Sequence, residues 1–270
     1  MTRKMSIKKI VIRVIIIFIV LTGITLAGLW NRYLNKYNLL RKFYTQQGQE
    51  VYLLGTIHQN HFNSLCNYSM ADVLSVVEHV QADAVFIESR EEYYLSHGVV
   101  DGPVDMSVVY SYCVDNDTPV EMIDWWVVDN SYAGGNTTSS LRDDNIFKNI
   151  STKLQELDPS SKVLIVCGAG HLEYQTKRFL EHGFERASIS NKKVFFDNKE
   201  DDFTYPALAV ETWDKRAYFY AYTYPELIEQ DVTLDESIKV QFTGGNHDAF
   251  YQQQRKYCEM FERNELYEEW

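Results

Sequence analysis

The longest apolar run stands at the start of the chain. Residues 14–30 carry no charge, and residues 10–29 make twenty positions, about the ~20 that a helix needs to cross a bilayer. No amphipathic period is visible in VIIIFIVL, so a membrane-inserted helix is expected in place of a half-buried surface one. Beyond residue 50 the apolar runs shorten. Residues 51–54, 84–87, 119–123 and 162–167 read as buried strands. Met70, Val73, Leu74, Val76, Val77 and Val80 recur at helical spacing behind Ser69, which suits a helix cap over 69–80. Helices are also expected over 106–114, over 141–157 until Pro159, and over 171–182 until Gly183. Strands alternating with helices imply a mostly parallel sheet covered on both faces. Polar residues 129–140 form a loop suited to a mobile lid. The charged strip 198–202 reads as a solvated loop. After residue 193 the pattern changes: 217–223 (AYFYAYT) reads as strand and 248–268 as a terminal helix.

The expected fold is therefore α/β, a mostly parallel central sheet flanked by helices. A basic tail and transmembrane helix (1–30) and a basic juxtamembrane linker (31–49) precede one α/β domain (50–270), whose part 193–270 is an added strand and helix region.

Charge sharpens this division. Residues 1–49 hold nine Lys or Arg and no acid, whereas residues 50–270 hold 17 basic against 38 acidic side chains, a balance of −21. Such a domain repels phosphate backbones, which disfavours nucleic acid as a partner. Five basic residues precede the apolar run and Arg32, Lys36, Arg41 and Lys42 follow it. The bias points the amino terminus inward and places the large domain outside the cytoplasm on a single-pass anchor. An alternative is a secretory signal cut after Ala27. Cys66, Cys113, Cys167 and Cys258 show no CxxC or zinc-finger spacing.

Candidate chemistry sits where strands end. Gly-x-x-His occurs three times, at Gly55–His58, Gly168–His171 and Gly244–His247, where chance would supply roughly 0.3. The first two follow apolar strands directly, and Glu88 ends a third. In a parallel sheet such ends converge on one edge. Two imidazoles and a carboxylate suit a divalent cation such as Mn, Co, Fe or Zn, and an ion held by three groups keeps positions for water and a substrate carbonyl. His58, His171 and Glu88 are thus the expected metal ligands, with Glu88 as third ligand or as base. His61 and His247 are possible additions. His79, His97 and His182 read as structural.

The segments VYLLGTIHQNHF, DAVFIES, LRDDNIFKNI and KVLIVCGAGHLEY, in this order over roughly residues 50–190, resemble the TraB/Tiki/GumN family, which is related to the erythromycin-esterase and ChaN-like folds. The resemblance implies an active site of His58, Glu88 and His171, with Arg142 holding a carboxylate or a substrate oxygen. It implies a membrane-anchored, divalent-metal-dependent hydrolase, a peptidase acting on peptide or protein substrates outside the cytoplasm. Two other functions stay open: a metal-free His/Glu esterase-like hydrolase, and a non-catalytic peptide or small-ligand binding protein, which the tyrosines after residue 203 would suit.

Overall fold

A computed structural model describes residues 7–29, 35–131, 140–197 and 203–268. The core of the lid segment expected over 129–140 and the charged strip 198–202 lie outside the described residues. In chain order the elements are helix α1 (Ile7–Leu29), strands β1 (Leu40–Tyr44) and β2 (Glu50–Thr56), α2 (Met70–Val80), β3 (Ala84–Arg90), α3 (Glu91–His97), α4 (Val104–Asp115), β4 (Val120–Asp124), α5 (Ser140–Glu156), β5 (Lys162–Gly168), α6 (Ala169–Glu181), β6 (Glu185–Ala187), then α7 (Ala209–Tyr218), α8 (Tyr224–Gln230), α9 (Glu236–Thr243) and α10 (His247–Glu262). Short 3-10 turns cover His58–Phe62 and Lys192–Phe196.

The six strands form one sheet in the order β4-β3-β5-β2-β1-β6. β2, β3, β4 and β5 are parallel, and β1 runs antiparallel to β2 and β6. β3 and β5 read as unbroken apolar runs because helices cover both of their faces. α2 starts where the sequence placed its cap: Ser69 and Asp72 exchange side-chain to backbone bonds in a capping box, a device worth about 1 kcal/mol. The last strand of the parallel set, β5, inserts between β2 and β3. That insertion makes the carboxyl ends of β2, β5 and β3 immediate neighbours.

Three expectations change. The segment 31–49 is more than a linker, because Leu40 and Phe43 are buried in β1 and pair with β2. The folded domain thus begins before residue 50. The added region after 193 is helical, with no strand among its described residues. AYFYAYT closes α7 and continues through a π-helical turn, Phe219–Thr223, into α8. Its β-forming tyrosines yield to tertiary packing: Trp213, Ala217, Ala221, Tyr224 and Ile228 are buried at three- to four-residue intervals, which only a helix places on one face.

The third change concerns α1. It is 23 residues long, and every side chain from Ile12 to Thr25 is exposed. Among the described residues, no helix is long and apolar enough to cross a membrane.

Candidate functional site

β2 delivers His58 two residues beyond its end. The register sets Thr56 beside Gly168 and Gly55 beside Cys167, so the two Gly-x-x-His motifs leave the sheet side by side. His58 itself adopts φ +52°, a left-handed conformation uncommon for a side chain with Cβ. His61 and Tyr68 hold this turn. The Ile57 N–H donates to His61 Nε2 at 2.9 Å, His61 Nδ1–H donates to the Tyr68 carbonyl at 2.8 Å, and Tyr68 OH donates to the Gly55 carbonyl at 3.0 Å.

Glu88 lies on β3, where the pairing with β4 shifts by one residue between Ile87 and Arg90. Such an irregularity re-aims side chains. Glu88 is buried, and its carboxylate is held on three sides. Arg142 Nη2 donates to Oε1 at 2.6 Å, the Gly168 N–H donates to Oε2 at 2.5 Å, and His171 Nε2 stands 3.4 Å from Oε1. Arg142, on the first turn of α5, also forks onto Asp124 at the end of β4, with Nε to Oδ1 and Nη2 to Oδ2 both at 2.8 Å. The neighbouring Arg90 does not pair with Glu88. It turns away to Asp101 at 2.6 Å and to the Tyr220 hydroxyl at 3.0 Å.

The two imidazoles are supported alike. His58 Nδ1 faces both oxygens of buried Asp105 at 3.3 Å. His171 Nδ1–H donates to Asp143 at 2.7 Å, and Gln175, one turn further along α6, donates to the Asp143 carbonyl at 2.9 Å. With each Nδ1 bound to a carboxylate, each Nε2 is left for a further partner. Gly168 lets them converge: a Cβ built there would stand 2.5 Å from His58 Nε2 and 3.3 Å from Glu88 Oε2. Gly102 acts similarly behind the site, since its Cβ would lie 2.2 Å from the Glu88 carbonyl oxygen.

Charge follows from this packing. Burial lowers the pKa of both imidazoles, but their carboxylates outweigh it: Asp105, then Glu88, push His58 up to about 9, and Asp143, then Glu88, push His171 up to about 9. Burial works against ionised Glu88, yet His171, His58 and Arg142 hold it well below the usual carboxylate range. Glu88 and Asp124 share the Arg142 guanidinium, while Asp105 and Asp143 each face an imidazole, so that with neutral rings and ionised acids the cluster carries three negative charges in excess. Two imidazolium protons or one divalent cation would take up two of them. As the side chains stand, no group of three His, Cys, Asp or Glu residues among the described ones is disposed as a metal cage.

The expected set His58, Glu88, His171 and Arg142 is thus brought together. His61 is not part of it. It is fully buried, both of its nitrogens are spent, and burial pushes its pKa down to about 4, so it offers no ligand. His247 is not part of it either: its Nε2–H donates to the Thr243 carbonyl at 3.1 Å, at the start of α10. The sequence reading missed Asp105, Asp124 and Asp143. Asp105 had a signal, a lone acid in the apolar stretch VDMSVV. Asp143 faces His171, and its neighbour Asp144 turns to Arg178. No protein-family model matches the chain, and neither the curated proteins nor the solved structures contain a significant match.

Proposed function

We propose that the protein is a membrane-anchored hydrolase whose reaction centre is the His58–Glu88–His171 cluster, and that it works with one divalent cation on peptide bonds outside the cytoplasm. One observation carries the chemistry: two imidazoles, each fixed at Nδ1 by its own carboxylate, stand beside a shared glutamate, His171 with Nε2 3.4 Å from Glu88 and His58 with Nε2 beside Gly168, which Glu88 also flanks. Carboxylate-supported imidazoles of this kind are the usual outer shell of metal-binding histidines. The donor set fits a cation in kind, two nitrogens and a carboxylate, and the local excess of negative charge favours one.

His58 and His171 would hold the ion with Glu88, and a bound cation would supply an acidified water and a polarised carbonyl. The chain's own groups divide the remaining work. Glu88, held far below its usual pKa, is a poor proton acceptor and serves as ligand and anchor in preference to base. Arg142 and the Gly168 N–H fix its two oxygens. Asp105 and Asp143 fix the tautomers of the two rings. The His58 side chain is 30% exposed against 3% for Glu88, so His58 is where a substrate first meets the cluster.

The anchor is supported by α1, whose apolar side chains from Ile12 to Ile24 are exposed around the whole circumference, a pattern stable in a lipid environment. The basic residues ahead of it favour an outside domain. The family resemblance points the same way on both counts.

A metal-free hydrolase is the second reading. It is favoured by the 2.6 Å Arg142–Glu88 contact, which places a fixed cation where an ion would otherwise sit. Two imidazoliums would then act as acids toward the substrate carbonyl and leaving group. Elemental analysis of the purified full chain beside His171→Ala separates the two. About one ion per wild-type chain and none in the variant is expected, with peptide hydrolysis lost on chelation. Hydrolysis that survives strong chelators would transfer the assignment to the metal-free reading.

A further inference from the structure

At the opposite side of the sheet from β4, the edge formed by β1 and β6 opens into a cavity of about 430 Å³ lined by Leu40, Arg41, Lys42, Arg186, Ser188 and Lys192, among others. Its basic character runs against the composition of a domain with 17 basic and 38 acidic residues. Two of its cations are matched by acids: Arg41 meets Glu173, and Lys42 meets Glu50 at 2.9 Å. The others are not. Lys192 Nζ reaches only the carbonyls of Tyr37 and Leu40, at 2.7 and 2.6 Å. Among the described residues, Arg186 in the cavity and Lys193 beside it have exposed side chains with no hydrogen bond or acidic partner. The buried Nε–H of Arg41, a residue 7% exposed, also has no acceptor. Burial first, then the neighbouring Arg186 and Arg41, hold the Lys192 ammonium below its ordinary pKa. Glu185 and Asp197 are exposed at the two ends of this segment, outside the cavity lining.

Two further features give the cavity a direction. Val194 next to Lys193 is 47% exposed and Tyr44 at the end of β1 is 38% exposed, so apolar side chains flank the cations, as on surfaces that rest in a headgroup layer. Tyr37, whose carbonyl Lys192 holds, is eight residues beyond the end of α1 at Leu29. Those residues span at most about 28 Å even when fully extended. If α1 lies in a bilayer, the cavity is tethered within reach of the headgroups on that side.

We propose that the β1–β6 cavity is a lipid site: Arg186 and Lys192, with Lys193 at its rim, take the phosphate of an anionic phospholipid and seat the domain against the leaflet on its own side of the membrane. This rests on the membrane-anchor part of the function proposed above and is independent of the hydrolytic part. Seating fixes the height of the reaction centre over the membrane, since the strand ends that carry it belong to the same sheet.

The test uses the full chain in lipid nanodiscs of phosphatidylcholine alone or with one third phosphatidylglycerol, read by amide hydrogen exchange over residues 185–197. Phosphatidylglycerol is expected to slow exchange there by about tenfold, an effect that high salt and the double variant Arg186→Gln/Lys193→Gln both remove. Both substituted side chains are exposed, so this variant keeps the fold, and unchanged exchange in β2, β3 and β5 verifies it. Equal exchange in the two kinds of disc would overturn the lipid site. Equal protection by millimolar inorganic phosphate in phosphatidylcholine discs would overturn it too, leaving a free-phosphate site. Failure of the full chain to enter discs at all would instead refute the anchor.

Discussion

The same four-residue pattern stands in two settings in this molecule. At the strand ends, Gly55–His58 and Gly168–His171 place their imidazoles within one cluster around Glu88. In the C-terminal helical region, Gly244–His247 joins α9 to α10, and its imidazole does no more than hold the Thr243 carbonyl. The glycines differ as much as the histidines. Gly168 faces His58 at a distance no side chain could tolerate, whereas a Cβ on Gly244 would meet only the end of its own helix, the Val240 carbonyl oxygen at 2.8 Å. What separates the settings is not the motif but what the sheet puts beside it: a second strand end, a buried glutamate, and a carboxylate behind each ring. A short pattern acquires chemistry only when the fold supplies those neighbours.

The largest contrast should come from alanine at the two kinds of histidine. His171→Ala should abolish metal content and lower hydrolysis by about three orders of magnitude, while His247→Ala should leave both unchanged and shift stability by no more than about 0.5 kcal/mol. Comparable losses in the two variants would erase the distinction drawn between the regions. The glycines sharpen it next. Gly168→Ala should push the His58 ring out of line and cost up to about a hundredfold in activity, whereas Gly170→Ala, two residues on and facing open space, should be silent in the same assay.

The supporting carboxylates come third. Asp143→Asn keeps the shape but takes the charge from His171, and a loss of about 10- to 100-fold in metal affinity is expected, read by competition with a chelator. An unchanged affinity would reduce Asp143 to a helix-start residue.

The smallest effect is one of pH on the metal-free protein. His58 and His171 have folded pKa values of about 9 against about 6.5 unfolded. Their contribution is therefore complete below about pH 6.5 and disappears as pH rises through about 9. Thermal midpoints should fall over that interval in the wild type and stay flatter in the His58→Gln/His171→Gln variant. In the C-terminal region His247→Gln should leave the profile as it is. Bound metal should oppose the fall, because the ion displaces the two protons and binds more tightly as pH rises.

Much of the local structure was legible in the residues themselves. The helix of Met70–Val80 shows its period and its Ser69 cap, and the strands around Val85 and Leu164 show unbroken apolar runs between polar turns. Both depend on neighbours in sequence. β1 was hidden because Leu40 and Phe43 flank Arg41 and Lys42, which read as juxtamembrane basic residues until a sheet edge gave them a place. The π-helical turn after Tyr218 was hidden for a related reason: AYFYAYT has strong β preference, and its helical form is decided by contacts with α10 and the loop around Asp101.

At the site, His58, Glu88, His171 and Arg142 could be picked out because each closely follows an apolar run or opens a helix that the sequence itself marks. Asp105 and Asp143 could not be assigned their partners. They lie 47 and 28 residues from the histidines they support, and nothing local couples positions so far apart. The chain's order of apolar runs, caps and breakers specified which pieces would form. Which pieces meet depended on β5 entering the sheet between β2 and β3. That step is governed by burial of the whole sheet between its helix layers, an interaction of long range that no single segment encodes.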